Sequence, residues 1–262
     1  MSGWASGRVD ITGGHLAYHR TGGAGPVVVL SHGLTDNGLC WRRLADALAP
    51  EFDLIMLDAR GHGDSARMPA GDHDPGQDIA EAIDLLGLVS PIVMGHSVGA
   101  RATAAFASAH PDKVSKVVLE DPPFLPLIDR ATSDRRAARF SGQVESFAAM
   151  SQTELVAMGR ETSPLWHDDD FPAWAQAKHQ VDPRAMPFYS RPWQDIVAAI
   201  TAPTLLVHGV SAQGGLVTPA IAQEARALNP NLVTVEIEGA GHNTRRENFP
   251  DYLSAVQTFL RS

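Results

Sequence analysis

The stretch Pro91-Ile92-Val93-Met94-Gly95-His96-Ser97-Val98-Gly99-Ala100-Arg101-Ala102 decides the fold. Its apolar run after a proline reads as a short buried strand, and the alanine-rich continuation to about residue 108 reads as a helix. Between the two stands the chain's single G-x-S-x-G, Gly95 to Gly99. A serine hydroxyl is a poor nucleophile in open solvent, but a sharp strand-to-helix turn pushes its Oγ out of the sheet toward a base. The glycines are small where larger side chains would strike backbone, and the helix N-terminus offers N–H groups to developing negative charge. Ser97 is therefore the candidate nucleophile.

Working outward, short apolar runs alternate with amphipathic stretches, the signature of an α/β fold with a mainly parallel sheet. A hairpin is expected over 7–19, turning at Gly13-Gly14. Strands follow at Val27–Ser31, Asp53–Leu57, Pro91–Met94, Lys116–Glu120, Thr204–His208 and Leu232–Ile237. Helices are expected near 39–49, 77–87, 98–108, 219–228 and 249–261. Thr218 before Pro219 is a good helix start, a capping hydroxyl followed by a residue with no N–H to satisfy. From about 122 to 195 the alternation stops and the chain turns proline-rich and helical. The expected plan is a sheet core over 1–121 and 196–262, interrupted by a helical cap over 122–195. Ligands of open α/β sheets bind outside the strands' C-terminal ends, so this insertion is placed to roof the site.

These features resemble the α/β-hydrolase family over nearly the whole chain. Ser31-His32-Gly33-Leu34 looks like the family's oxyanion-loop motif, Asp58-Ala59-Arg60-Gly61-His62-Gly63-Asp64-Ser65 like its structural turn, and Gly241-His242 like its catalytic-histidine loop. The resemblance implies an oxyanion hole made by the backbone N–H groups of Leu34 and Val98, with Gly33 at the pocket wall.

Eleven histidines compete for the role of base. His32 and His62 fall in motifs that serve loop architecture in the family, and His96 occupies the elbow's variable position. His242, in the glycine-flanked loop Gly239-Ala240-Gly241-His242 between the last strand and last helix, can carry an imidazole across to Ser97. A base with near-neutral pKa is what serine activation needs.

The acid is harder to find. The family usually supplies it after the strand that here is Thr204–His208, yet no Asp or Glu occurs between Asp195 and Glu224, and Val210 stands where an aspartate is expected. Haloalkane dehalogenases and fungal zearalenone lactonases place the acid after the preceding strand, which here ends Leu119-Glu120-Asp121-Pro122-Pro123. Asp121 matches that position, and the order Ser97, Asp121, His242 keeps the family's nucleophile–acid–base sequence. Glu120 is the neighbouring alternative, directed to the other sheet face by strand alternation. A site without an acid is the third.

Composition bounds the remainder. The chain has 262 residues, 44% hydrophobic and 19% charged, enough for one large globular domain or two small ones. A net charge of −9 argues against nucleic-acid partners and anionic membranes. The single cysteine, Cys40, excludes an intrachain disulfide and a multi-cysteine metal site. MSGWASGRVD lacks a basic start followed by an apolar stretch, so no secretory signal is expected and the cytoplasm is the expected location. No metal or organic cofactor is required; His167-Asp168-Asp169-Asp170 reads as a solvated helix start.

Residues 122–195 hold nine of the chain's seventeen aromatics, more than a small cap needs for its own packing. Phe124, Trp166, Trp174 and Tyr189 are the candidate substrate-lining residues, and Phe171-Pro172-Ala173-Trp174-Ala175 resembles a cap segment of the zearalenone lactonases. The expected partner is a small hydrophobic ester or lactone. Attack on a C–C, amide or carbamate bond in the same site is the alternative among enzymes. A hydrolase-fold ligand-binding receptor is the alternative outside them. Oligomeric state is left open.

Overall fold

The computed structural model describes residues 3–71 and 73–262, so Met1 and Ser2 of the opening segment lie outside it. Among the described residues, eight strands form one sheet: β1 (Ala5–Ile11), β2 (Gly14–Arg20), β3 (Val27–Ser31), β4 (Asp53–Leu57), β5 (Ile92–His96), β6 (Lys116–Glu120), β7 (Thr204–Gly209) and β8 (Leu232–Ile237). Their spatial order is β1-β2-β4-β3-β5-β6-β7-β8. The opening hairpin joins antiparallel to β4, and every pairing from β4 through β8 is parallel.

Helices connect the strands in the usual crossover manner. They are α1 (Arg42–Leu48), α2 (Pro75–Leu85), α3 (Val98–Ala109), α4 (Arg130–Ala148), α5 (Gln152–Thr162), α6 (Phe171–Gln180), α7 (Trp193–Ala198), α8 (Pro219–Leu228), α9 (Thr244–Glu247) and α10 (Phe249–Arg261). Expected capping is seen where the letters indicate it: the Thr218 side chain accepts from the Ile221 N–H at the start of α8. Ser151 and Glu154 form a reciprocal capping box on α5.

Strand alternation divides the core into two layers. Val29, Ile55, Val93, Val117 and Leu206 face α2, α3, α7 and α8, whereas Val28, Leu54, Met94, Val118 and Leu205 face α1 and α10. The second layer is closed by Trp41 and Tyr252, both fully buried. Helix α7 starts within the segment assigned to the cap and crosses its expected end at residue 195. Its Trp193, Ile196 and Val197 nonetheless pack in the first core layer, together with Phe124.

Between β6 and β7, α4, α5 and α6 lie over the C-terminal ends of the strands with small apolar clusters of their own, Phe140 with Val144 and Phe147 with Leu155. The seam with the sheet runs through residues 178–182. Asn37 Nδ2 donates to Gln180 Oε1 (2.8 Å), the Met68 N–H to Asp182 Oδ2 (3.0 Å), and the Asp182 N–H to the Gly61 carbonyl (2.7 Å). Among the described residues, no helix is long and apolar enough to cross a membrane.

Candidate active site

The turn after β5 leaves Ser97 at φ +54 and ψ −123, a positive-φ conformation rare outside glycine. The surroundings hold it there. The Ser97 N–H donates to the Glu120 carbonyl (2.9 Å), and a Cβ on Gly99 would strike the backbone oxygens of Ser31 and His32. Helix α3 can therefore start this close to β3 only with glycine at 99.

His242 is delivered by the loop between β8 and α9. A Cβ on Gly209 would collide with the Gly241 carbonyl, and one on Gly241 with the Gln213 carbonyl, so the β7 and histidine loops pack at backbone contact. His242 Nε2 lies 3.0 Å from Ser97 Oγ, and its Nδ1 lies 2.6 Å from Asp121 Oδ2. The structure thus brings Ser97, His242 and Asp121 into one hydrogen-bonded line. His96 adds a brace that sequence reasoning assigned no role: its Nε2 is 3.0 Å from the His242 carbonyl oxygen. Burial holds the His96 pKa well below its ordinary value, so the ring is neutral.

Asp121 is fully buried and itself left-handed, at φ +41. Its carboxylate accepts from the Leu216 N–H (2.8 Å) and the Val217 N–H (3.0 Å). The loop after β7, which carries no acid of its own, therefore supplies donors to an acid on the neighbouring strand.

Glu120 points to the opposite sheet face. It is fully buried, accepts from Thr244 Oγ1, the Arg245 N–H and Tyr252 Oη (2.9, 3.1 and 3.1 Å), and pairs with the Arg245 guanidinium at 3.2 Å. It belongs to a buried charge cluster with Asp36, which has Arg245 at 3.2 Å, Arg246 at 3.1 Å and Lys178 at 3.7 Å. Those cations hold the Asp36 pKa far below the usual carboxylate range against the penalty of burial. Sequence reasoning missed this cluster, because its members come from four separate segments.

Leu34 sits in a four-residue turn closed by the Asp36 N–H donating to the Gly33 carbonyl (3.1 Å). Thr35, third in that turn, has φ +68, as a turn with a positive φ at its third position requires, and the Leu34 N–H takes no part in the turn's own bond. Val98 is the first residue of α3, where no carbonyl one turn back is available within the helix. Both residues line a cavity of about 210 Å³, together with Gly33 and Tyr189. His32 is turned away to architecture: its Nδ1 is 2.8 Å from the Gly33 carbonyl oxygen and its Nε2 accepts from the Ala59 N–H. Burial lowers its pKa to about 4.

Three expected lining residues do not line this cavity. Phe124 stacks on Trp193 at 4.8 Å between ring centroids, within the sheet's core. Trp166 stacks on Phe171 and lies under the Arg246 guanidinium. Trp174 packs against Gly159 and under the Lys178 ammonium. All three are used in packing, as a small helical layer with little core of its own requires. The cavity wall is instead mixed: Leu57, Ile79 and Met186 alongside Arg60, Arg130 and Arg184. Arg60 is committed to Asp78, and Arg184 to Asp182.

Comparison with known proteins follows this geometry. A family model described as the alpha/beta hydrolase fold matches residues 26–245. The chain is 31% identical to the 2-(acetamidomethylene)succinate hydrolase of Mesorhizobium japonicum, over 97% of this chain and 95% of that protein. It is 27% identical to the N-formylmaleamate deformylase of Pseudomonas putida, over 98% and 96%. Among solved structures, it is similar to a crystal structure of E-2-(acetamidomethylene)succinate hydrolase, with a TM-score of 0.84 and 26% identity, covering 99% of this chain and all of that one.

Proposed function

The chain belongs to the alpha/beta hydrolase fold family, and from that premise we propose that it is a serine hydrolase cleaving an ester or amide bond of a small acyl substrate. The observation that carries this reading is the line Ser97 Oγ–His242–Asp121, with separations of 3.0 and 2.6 Å. In it, His242 Nε2 takes the Ser97 proton as Oγ attacks the acyl carbon. The oxygen of the tetrahedral adduct, now negative, is held by the Leu34 and Val98 N–H groups. Collapse breaks the bond to the alcohol or amine, which leaves with the proton from His242. Water then attacks the acyl-enzyme, giving its proton to His242, and the carboxylic acid departs as the proton returns to Ser97. Asp121 holds the imidazole orientation and balances the imidazolium.

Two considerations shape the substrate. Two relatives that span nearly the whole chain are named for an acetamidomethylene succinate and an N-formylmaleamate. This supports placing amide cleavage beside the ester or lactone reading. The cavity is small, and the compounds in those two names, a succinate and a maleamate, are acidic. That supports a compact acyl compound bearing an acidic group, in place of the hydrophobic one expected from the aromatic content of 122–195.

A fluorophosphonate probe tests the nucleophile: mass spectrometry of the digested adduct should locate the label on Ser97 and find none in Ser97→Ala. Folded wild-type protein that takes up no label would overturn the reading and favour a ligand-binding role. A panel of small esters and N-acyl amides, each with and without a free carboxylate, tests the bond and the charge.

A further inference from the structure

Lys178 is one of only three lysines in the chain and is buried to 2% exposure near the end of α6. An ammonium is buried only where polar partners meet it. Here its Nζ donates to both the carbonyl and the Oγ1 of Thr35, each at 2.8 Å. The same Nζ is 3.7 Å from Asp36 Oδ1 and stands over the rings of Trp174 and Phe147, at 4.4 and 5.9 Å from their centroids. Cys40 and Arg246 are the other titratable or charged groups that act on it.

The residue it grips is the strained one. Thr35 is β-branched and has φ +68, a conformation that such side chains avoid and that persists only when neighbours over-determine it. Thr35 is also the residue on which the geometry of the Gly33–Asp36 turn depends, and that turn carries the Leu34 N–H. A glycine would adopt the conformation unaided; this sequence has threonine, and two charge-assisted bonds from another segment of the chain fall on it.

We propose that Lys178 is a positioning residue, holding Thr35 in the left-handed conformation that presents the Leu34 N–H to the reacting oxygen. The proposal rests on the reading of Ser97 as nucleophile and Leu34 as oxyanion donor. Removal of Lys178 leaves Asp36 paired with Arg245 and Arg246, so the buried carboxylate keeps its counter-charges.

The test is a double-mutant cycle between Lys178→Met and Thr35→Gly, read by kcat on p-nitrophenyl acetate and by the rate of fluorophosphonate labelling at Ser97. Lys178→Met should lower both rates at least tenfold with KM within threefold. In the Thr35→Gly background the same substitution should cost less than threefold. Lys178→Gln, which keeps an amide NH2 donor without the charge, should fall between wild type and Lys178→Met. A crystal structure of Lys178→Met supplies a readout independent of activity, with Thr35 expected to leave positive φ. Rates within threefold of wild type in Lys178→Met, an equal loss in both backgrounds, or an unchanged Thr35 backbone would each overturn the proposal. Failure of wild-type protein to label at Ser97 would instead strike the nucleophile reading.

Discussion

Asp121 and His242 are separated by 121 positions in the sequence, yet their Oδ2 and Nδ1 atoms stand 2.6 Å apart. Next to Asp121, Glu120 is equally buried and turned to the other sheet face, among Arg245, Thr244 and Tyr252. Substituting each should therefore give opposite phenotypes. Asp121→Asn should lower kcat by roughly ten-thousand-fold, on the precedent of triads that lose the anion behind the histidine, with a nearly unchanged denaturation midpoint. Glu120→Gln should cost stability, about 3–5 kcal/mol for a broken buried pair, while the folded fraction still labels at Ser97. Urea denaturation and steady-state kinetics on both variants check this; exchanged phenotypes would make Glu120 the acid.

The turn at Gly33–Asp36 allows the oxyanion donor to be removed while the turn itself is kept. Leu34 occupies the second position of a turn whose third residue is left-handed, a position where proline is favoured. Leu34→Pro should keep the fold and delete one N–H, lowering kcat roughly a hundred- to a thousandfold while KM changes little. A loss seen mainly in KM would assign Leu34 to substrate contact.

Cys40 should be chemically silent in the native protein. It is buried, and burial pushes its thiol pKa up to about 12, where almost no thiolate exists near neutrality. A thiol reagent at pH 8 should react only after urea is added. Stoichiometric reaction with folded protein would show that the segment around Cys40 opens.

Burial also lowers the Lys178 pKa to about 8, against the opposing pull of Asp36. The unfolded chain holds that proton up to its ordinary value near 10.5, the folded chain only to about 8. Between those pH values the unfolded state binds more protons, so this residue's contribution makes stability rise with pH. Cys40 acts oppositely above pH 9, since the folded state retains its proton. The difference in urea midpoint between wild type and Lys178→Met isolates the lysine and should grow in favour of wild type from pH 8 to 10. A flat difference would place the Lys178 titration elsewhere.

Much of the architecture was legible because short parallel strands announce themselves. The runs Val27–Ser31, Asp53–Leu57, Lys116–Glu120 and Leu232–Ile237 are apolar on both sides of the pleat or bounded by turn residues, and each is a strand with those limits. The aromatic content of 122–195 was less informative. A tryptophan has the same letter whether it faces a ligand or, like Trp166, stacks on Phe171 beneath an arginine. The absence of an acid after β7 pointed to Asp121, but the two donors that this loop offers instead are main-chain groups, which no residue type marks. Lys178 was invisible for a related reason: nothing in Phe171–Gln180 indicates that its lysine ends on a strained threonine 143 positions earlier.

The loop that cradles Asp121 has an unusual freedom to drift. Because Leu216 and Val217 contribute amides, the side chains of Ser211, Ala212 and Gln213 are exposed and carry none of that alignment. Substitution there should be tolerated broadly over generations. Proline at 216 or 217 is the exception, since it alone among the residues deletes the group that the carboxylate uses. A site anchored this way hides its dependence from any comparison of side chains, and its lineage would show variable letters over an invariant backbone.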